Sequence, residues 1–430
     1  MDDDCGRPPP DLVLQRAGVS STTETVAPQI RGGGQPRSGH GWRIVTALAV
    51  TQTIGYGVLY YAFSVFLAPM ARDLHATNAQ IAAALTLSIL IAALCAPLVG
   101  RRLDARGGRG LMTAGSILGA TAVLAWSRVE NLWQLYAVFA AMGIACAMVL
   151  YESAFAVIVS WFDGPALERG RTNALLALTV VAGFASSIFL PLTGLLVEWC
   201  GWRQALVVLA LVYGVAAIPL HGLVLRRRTH ARHERVTAEE RAGIVKAAIR
   251  RRPFWLLVIA FTANGGAVAV MAVLLITYLV HMGHSPVLAA TLAGLLGVLS
   301  VTGRLITTGL QTRMPAALIA ATIFALQGVA VLLLPLVGRT VPGAIGAVLL
   351  FGLGFGIASI TLPHLLVGRY GTAAYATLSG RIAAFSVADK ALAPLGAVAL
   401  AQAVGYLWVM GAVATACVIA ALALVAYYRL

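Results

Sequence analysis

Four charged residues, Glu152, Arg304, Asp389 and Lys390, lie inside stretches that are otherwise apolar. An ionised side chain surrounded by hydrocarbon costs several kcal/mol unless a partner or a wet cavity receives it, so each marks either chemistry or a structural bridge. Glu152 stands nine residues before Trp161, roughly 14 Å along a helix and near the middle of its stretch. A carboxyl group held there suits reversible protonation. Asp389 and Lys390 are adjacent, and adjacent helical residues point about 100° apart, so each needs a partner on another element. Arg304 lies about two turns from the end of its stretch; it either snorkels to water or presents its planar fork to a carboxylate. Tyr56, Tyr60, Tyr151 and Asn264 are uncharged groups placed to line the same space, or to pack with satisfied polar atoms. His364 and Arg381 lie nearer the ends of their stretches and read as gate or interface residues.

The elements that carry these residues follow from composition. Of 430 residues, 60% are hydrophobic and 11% charged, far more apolar surface than a water-soluble fold can hide. Apolar runs of bilayer length, about twenty residues, occur at Ile44–Ala68, Ile81–Gly100, Leu111–Trp126, Leu132–Val159, Thr172–Val197 and Ala205–Leu225. Six more follow at Phe254–Val280, Val287–Ile306, Ala316–Val337, Gly343–Val367, Thr377–Val404 and Leu407–Tyr427. The expected fold is an all-α integral membrane protein of twelve spans, built as two six-helix bundles related by a pseudo-two-fold axis. Residues 1–40 read as a disordered tail, 41–225 as the first bundle, 226–252 as a basic linker and 253–430 as the second bundle.

Charge fixes the expected orientation. Ten basic residues from Arg226 to Arg252 face only Glu234, Glu239 and Glu240, and Arg101, Arg102, Arg106, Arg109, Arg169 and Arg171 fall on the same side. The other side offers only Arg72, Arg128, Arg203 and Arg339. The positive-inside bias then places both termini in the cytoplasm of a cell (inner) membrane protein. It also explains the net charge of +15 without nucleic acid as a partner. Cys5, Cys95, Cys146, Cys200 and Cys417 are scattered, with no spacing for a metal site or a disulfide framework. No metal or cofactor is expected.

Between the second and third spans the chain runs Gly100-Arg101-Arg102-Leu103-Asp104-Ala105-Arg106-Gly107-Gly108-Arg109. This resembles the signature loop of the major facilitator superfamily, with Arg102 where that pattern prefers Leu. The glycines allow a tight turn, while Asp104 pairs with an arginine or meets a helix N-terminus and keeps one side closed. Gly41-Trp42, Trp161-Phe162, Gly201-Trp202-Arg203 and Gly303-Arg304 are similar to motifs of the monocarboxylate porters and oxalate/formate antiporters. The resemblance implies that Arg304 binds a substrate carboxylate. Two departures speak against a lactate-like substrate. No basic residue stands between Arg43 and Arg72, where Tyr56, Tyr60, Tyr61 and Ala62 lie, and Ser300 replaces an aspartate one turn before Arg304.

The resulting expectation is a monomeric secondary transporter that moves a small organic anion, a carboxylate, together with protons by alternating access. A proton-driven efflux antiporter for an amphipathic or cationic compound is the alternative, and a non-transporting membrane sensor a remote third. No enzyme motif is present: His-Glu-x-x-His, Gly-x-Ser-x-Gly and a Walker loop are all missing. The Gly352-x-Gly354-x-Gly356 run follows no strand and reads as close helix packing.

Overall fold

The computed structural model describes residues 38–225, 236–311 and 313–430. The expected tail through residue 37 and the basic run 226–235 lie outside the described residues. Among the described residues the chain is helical, with no strand, as a bilayer demands, because a helix satisfies its backbone without water.

The first span comprises α1 (Ser38–Tyr56) and α2 (Ala62–Asp73), joined by a π-helical turn at Gly57–Tyr61. Thr77 and Gln80 form a capping box that starts α3 (Asn78–Arg106), and Gly107, at φ 77°, ends it and opens α4 (Gly108–Trp126). The fourth span is broken into α5 (Leu132–Val149) and α6 (Tyr151–Trp161) by Leu150 in an extended conformation. α7 (Glu168–Ala182) leads into α8 (Ala185–Pro219), which folds at Gly201 and so contributes to both the fifth and sixth spans. Thr237 caps the linker helix α9 (Ala238–Arg250) with a second capping box.

The second half repeats the plan with α10 (Arg252–His281), α11 (Pro286–Leu310), α12 (Ala316–Val337), a tenth span split into α13 (Val341–Gly352) and α14 (Ala358–Tyr370), then α15 (Tyr375–Val404) and α16 (Tyr406–Tyr428). Among the described residues nine helical runs are long and apolar enough to cross a membrane unaided, the run Glu168–Val224 holding two spans. With α4 and the α13–α14 pair they make twelve.

The two breaks fall on corresponding spans, the fourth and the tenth, and polar side chains recapture the carbonyls they release. Gln52 donates to the Val149 carbonyl at 2.6 Å and Ser153 to that of Ala147 at 2.9 Å. In the second half Gln327 donates to the Phe351 carbonyl at 3.1 Å and Arg304 Nε to that of Gly356 at 3.1 Å. Each buried carbonyl left unpaired would cost about 1–3 kcal/mol, so these contacts are what make the breaks tolerable.

Three hydrophobic cores hold the molecule. One is private to the first half, around Phe66, Trp126, Phe139 and Tyr213. A second is private to the other half, around Met271, Leu275, Phe351 and Val413. The third lies toward the face that carries the linker and is shared by both halves, joining Leu103, Phe155 and Leu175 to Phe254, Phe324 and Tyr375. The halves are thus fused at the linker face and packed separately at the opposite one.

The fusion depends on α3 lying directly on α15. A Cβ on Gly100 would strike the Ala376 backbone, and one on Gly380 would strike the Ala96 backbone. Gly380→Leu is therefore expected to prevent closure, since neither backbone can yield without moving the whole helix. A cysteine placed at the buried position Ala383, one turn deeper, reports this. In the Gly380→Leu background its labelling by an impermeant maleimide from the linker side rises at least about tenfold, a shift of roughly 1.4 kcal/mol in the gate equilibrium. Unchanged labelling would contradict the account.

Candidate functional site

The signature loop ties the two halves together at the linker face. Asp104, at the end of α3, accepts hydrogen bonds from the backbone N–H groups of Ala376 at 3.0 Å and Thr377 at 2.7 Å, and from the Thr377 hydroxyl at 2.6 Å. It therefore caps the N-terminus of α15, a helix of the other half, where unpaired N–H groups and the helix dipole both favour a carboxylate. Of the two partners expected for Asp104, the helix end is the one it finds. Further ties cross the same face. Thr372 donates to Asp163 at 2.9 Å, Arg241 of α9 donates to the Ala373 carbonyl at 3.2 Å, and His364 stands 3.9 Å from Glu168. Gly107 supplies the turn, and Arg109, exposed, lines a vestibule of about 640 Å³ outside the gate together with Arg106, Asp163 and Arg241. Asp104→Ala should loosen the closed state by about 1–2 kcal/mol, the scale of a lost helix cap. The same cysteine at Ala383 would then label faster, by less than with Gly380→Leu.

Deeper than the linker face, charged residues of both halves meet side chains and carbonyls of the opposite half. Glu152, in the first turn of α6, accepts a hydrogen bond from Ser379 of α15 at 2.8 Å. The break at Leu150 starts a helix here and so puts Glu152 in a first turn, where the helix dipole favours a carboxylate. Lys390 lies on the same helix eleven residues after Ser379, roughly 16 Å further from the linker face. Its stem rests against Gly265 of α10, and it and Glu152 feel each other's charge across the halves. No ion pair within 4.0 Å involves either residue among the described residues. Lys390 is nevertheless accessible. Asp389 points elsewhere and packs its carboxyl against the Gly266 backbone on α10. The adjacent pair is thus split, one residue on backbone and one facing the opposite half.

Arg304 is 9% exposed and largely committed. Its Nε donates to Gly356, and its Nη1 donates to the Thr179 carbonyl of α7 at 2.9 Å, which ties the halves at mid-depth. A Cβ at Gly356 would occupy the position of the guanidinium, so this glycine is required by the close approach. Arg304 also sits within the electrostatic reach of Tyr56, Tyr61 and Tyr151. Tyr56 and Tyr151 lie 4.5 Å apart between ring centroids, and Tyr60 joins them through Tyr56 at 6.4 Å. Asn264 is buried and donates to Gln327 at 2.9 Å; Gln327 is the residue that holds the Phe351 carbonyl, so Asn264 supports the tenth-span break. Arg381 is partly buried near Arg101, and its Nε has no hydrogen-bond partner among the described residues. Ser379 and Thr179 were not singled out from the sequence, while Tyr61 was noted only as a residue of the first span and Gly356 only as part of a helix-packing run. Hydroxyls and carbonyls carry no charge signal, and Tyr61 gains its place only through the π turn.

A site of cavity-facing charges between two six-span bundles, gated by a capped loop, carries no catalytic constellation. The family model described as Major Facilitator Superfamily matches residues 49–388. The chain belongs to the major facilitator superfamily. It is a multi-pass membrane transporter of the secondary class, not an enzyme. Among curated relatives, an MFS-type transporter of Gibberella moniliformis is 25% identical over 377 residues, covering 85% of each chain. Monocarboxylate transporter 13 of Rattus norvegicus is 24% identical over 289 residues, covering 65% of this chain and 63% of that protein. Two solved structures share the fold. The human organic anion transporter MFSD10 superposes with a TM-score of 0.67 at 15% identity, covering 91% of this chain and 100% of that one. The Escherichia coli fucose:proton symporter FucP gives 0.67 at 14%, covering 90% and 97%.

Proposed function

We propose that this protein is a proton-coupled carrier for a small organic carboxylate, working by alternating access, with Lys390 receiving the anion and Glu152 carrying the proton. The observation that carries the reading is the separation of these two charges. They oppose each other across the halves without pairing, which leaves the ammonium free for a ligand and the carboxyl free for a proton.

Charge counting supplies the coupling rule. With nothing bound, Glu152 and Lys390 cancel. With a carboxylate on Lys390 and a proton on Glu152, the site is neutral again. Either ligand alone leaves a net charge in a low-dielectric space, which is costly to enclose. Asp389 and Arg304 add one charge of each sign and leave the difference unchanged. Only the empty and fully loaded forms reorient readily, so proton and anion travel together. Reorientation must part α3 from α15, breaking the Asp104, Asp163 and Glu152 contacts as a set. The positive-inside bias makes the linker face cytoplasmic and the present state closed to the cytoplasm. The monocarboxylate and organic-anion transport in the names of two similar proteins supports an anionic substrate, and the proton symport in the name of the third supports the coupling.

The test is uptake of a labelled panel of mono- and dicarboxylates into proteoliposomes under an inward proton gradient, with protein-free vesicles subtracted. Gradient-driven accumulation of at least one carboxylate is expected. If none moves at any pH, the carboxylate reading fails and proton-driven efflux of a cationic or amphipathic compound takes its place.

A further inference from the structure

Around Glu152, whose charge Lys390 feels from the other half, the first half presents an aromatic wall. The π turn Gly57–Tyr61 inserts an extra residue into the first span. A π turn, common at functional sites, widens the helix so that residues four and five apart share a face. Tyr61, which an α-helix would turn away from Tyr56 and Tyr60, thereby joins them: Tyr56 lies 6.4 Å from both other rings, and Tyr60 and Tyr61 meet edge to face at 5.3 Å. Tyr151 backs them, itself stacked on Phe155 at 5.2 Å with the planes 10° apart. Tyr60 is 39% exposed although its neighbours ring it. No hydrogen bond to protein takes up the hydroxyls of Tyr56, Tyr61 or Tyr151 among the described residues, and none of the three is sealed from the space. Residues that serve packing alone would satisfy their hydroxyls; these three are half-buried and leave theirs free of protein partners among the described residues.

Resting on the carboxylate reading above, we propose that the anion selected by this site carries a flat aromatic body, an arylcarboxylate, whose ring stacks on the tyrosine wall while its carboxylate meets Lys390. Offset-stacked and edge-to-face geometries are those that aromatic quadrupoles prefer, and the wall offers both. A two- or three-carbon acid would reach Lys390 but leave the wall uncovered. The absence of a lysine in the first span agrees, because that stretch supplies ring faces instead of a second cation.

The experiment is uptake into proteoliposomes of benzoate, cyclohexanecarboxylate and acetate at one pH and one gradient, with protein-free vesicles subtracted. Cyclohexanecarboxylate matches benzoate in charge and apolar bulk but has no π face. The expected KM for benzoate is at least about tenfold below that for acetate and severalfold below that for cyclohexanecarboxylate. Tyr60→Leu brings the benzoate to cyclohexanecarboxylate ratio to about one, whereas Tyr60→Phe preserves it, which separates loss of the ring from loss of the fold. Equal KM values for benzoate and cyclohexanecarboxylate, or preferred transport of acetate, would overturn the aromatic proposal and leave the carboxylate reading standing. Transport of none of the three, when a panel of other carboxylates also fails, overturns both.

Discussion

Lys390→Ala should reduce carboxylate transport by about a hundredfold or more at fixed substrate concentration. Removing one partner of a desolvated charge pair costs about 2–5 kcal/mol, and each 1.4 kcal/mol is a factor of ten. The loss should appear in both KM and kcat, because the ammonium meets the substrate before the halves move and the loaded form without it carries an uncancelled negative charge. The fold should survive. The stem leans on Gly265, and the ammonium holds no hydrogen bond or ion pair with protein among the described residues. Lys390→Arg keeps the charge but replaces a compact ammonium with a planar fork, and is expected to recover part of the activity. Saturable uptake of undiminished affinity in Lys390→Ala, measured over a concentration series in proteoliposomes, would remove Lys390 from the substrate site. Arg304 would be the next candidate, but two of its nitrogens already serve Gly356 and Thr179.

Glu152→Gln should separate exchange from accumulation. The amide of this variant mimics the protonated carboxyl permanently, so the substrate-bound form is neutral at every pH and can reorient, whereas the empty form carries the uncancelled charge of Lys390 and cannot. The variant should thus exchange internal for external substrate, show little response of exchange to pH, and lose at least about 90% of gradient-driven net uptake, a tenfold effect corresponding to 1.4 kcal/mol against return of the empty carrier. The amide oxygen can also still accept from Ser379, so the contact that holds the gate at mid-depth persists. Exchange and net uptake falling together in this variant would show that Glu152 shapes the site without carrying the proton.

Much of this architecture is written in the chain. Twelve apolar runs, a basic middle and the signature loop suffice for two six-span bundles, because a bilayer leaves the backbone few alternatives. Asp104 could be placed at a gate from its motif alone, and α15 then proves to be its partner. The breaks were not legible. Val149-Leu150-Tyr151 contains neither glycine nor proline, and the break exists because Gln52, 97 residues away, reaches the carbonyl it frees. The glycine run at 352–356 does signal the second break in retrospect, since Gly356 makes room for Arg304.

The site was half legible for a related reason. A charge in an apolar run announces itself, so Glu152, Arg304, Asp389 and Lys390 could be found, but their partners could not. Asp389 packs against a glycine backbone and Arg304 turns to two carbonyls, groups present all along the backbone. Tyr60 and Tyr61 would diverge on a regular helix. Only the π turn, which has no clear local sequence signal, brings both rings to the space.

The coupling rule is tested most directly by separating the two driving forces in proteoliposomes. Uptake of a transported carboxylate is followed under a proton gradient with the potential clamped at zero by potassium and valinomycin, and then under a potential with no proton gradient. One proton accompanying one monovalent anion is electroneutral, so the gradient should drive accumulation and the potential should leave it unchanged. Uptake that follows the potential and ignores the proton gradient would contradict the pairing of Glu152 with Lys390 on which the account rests.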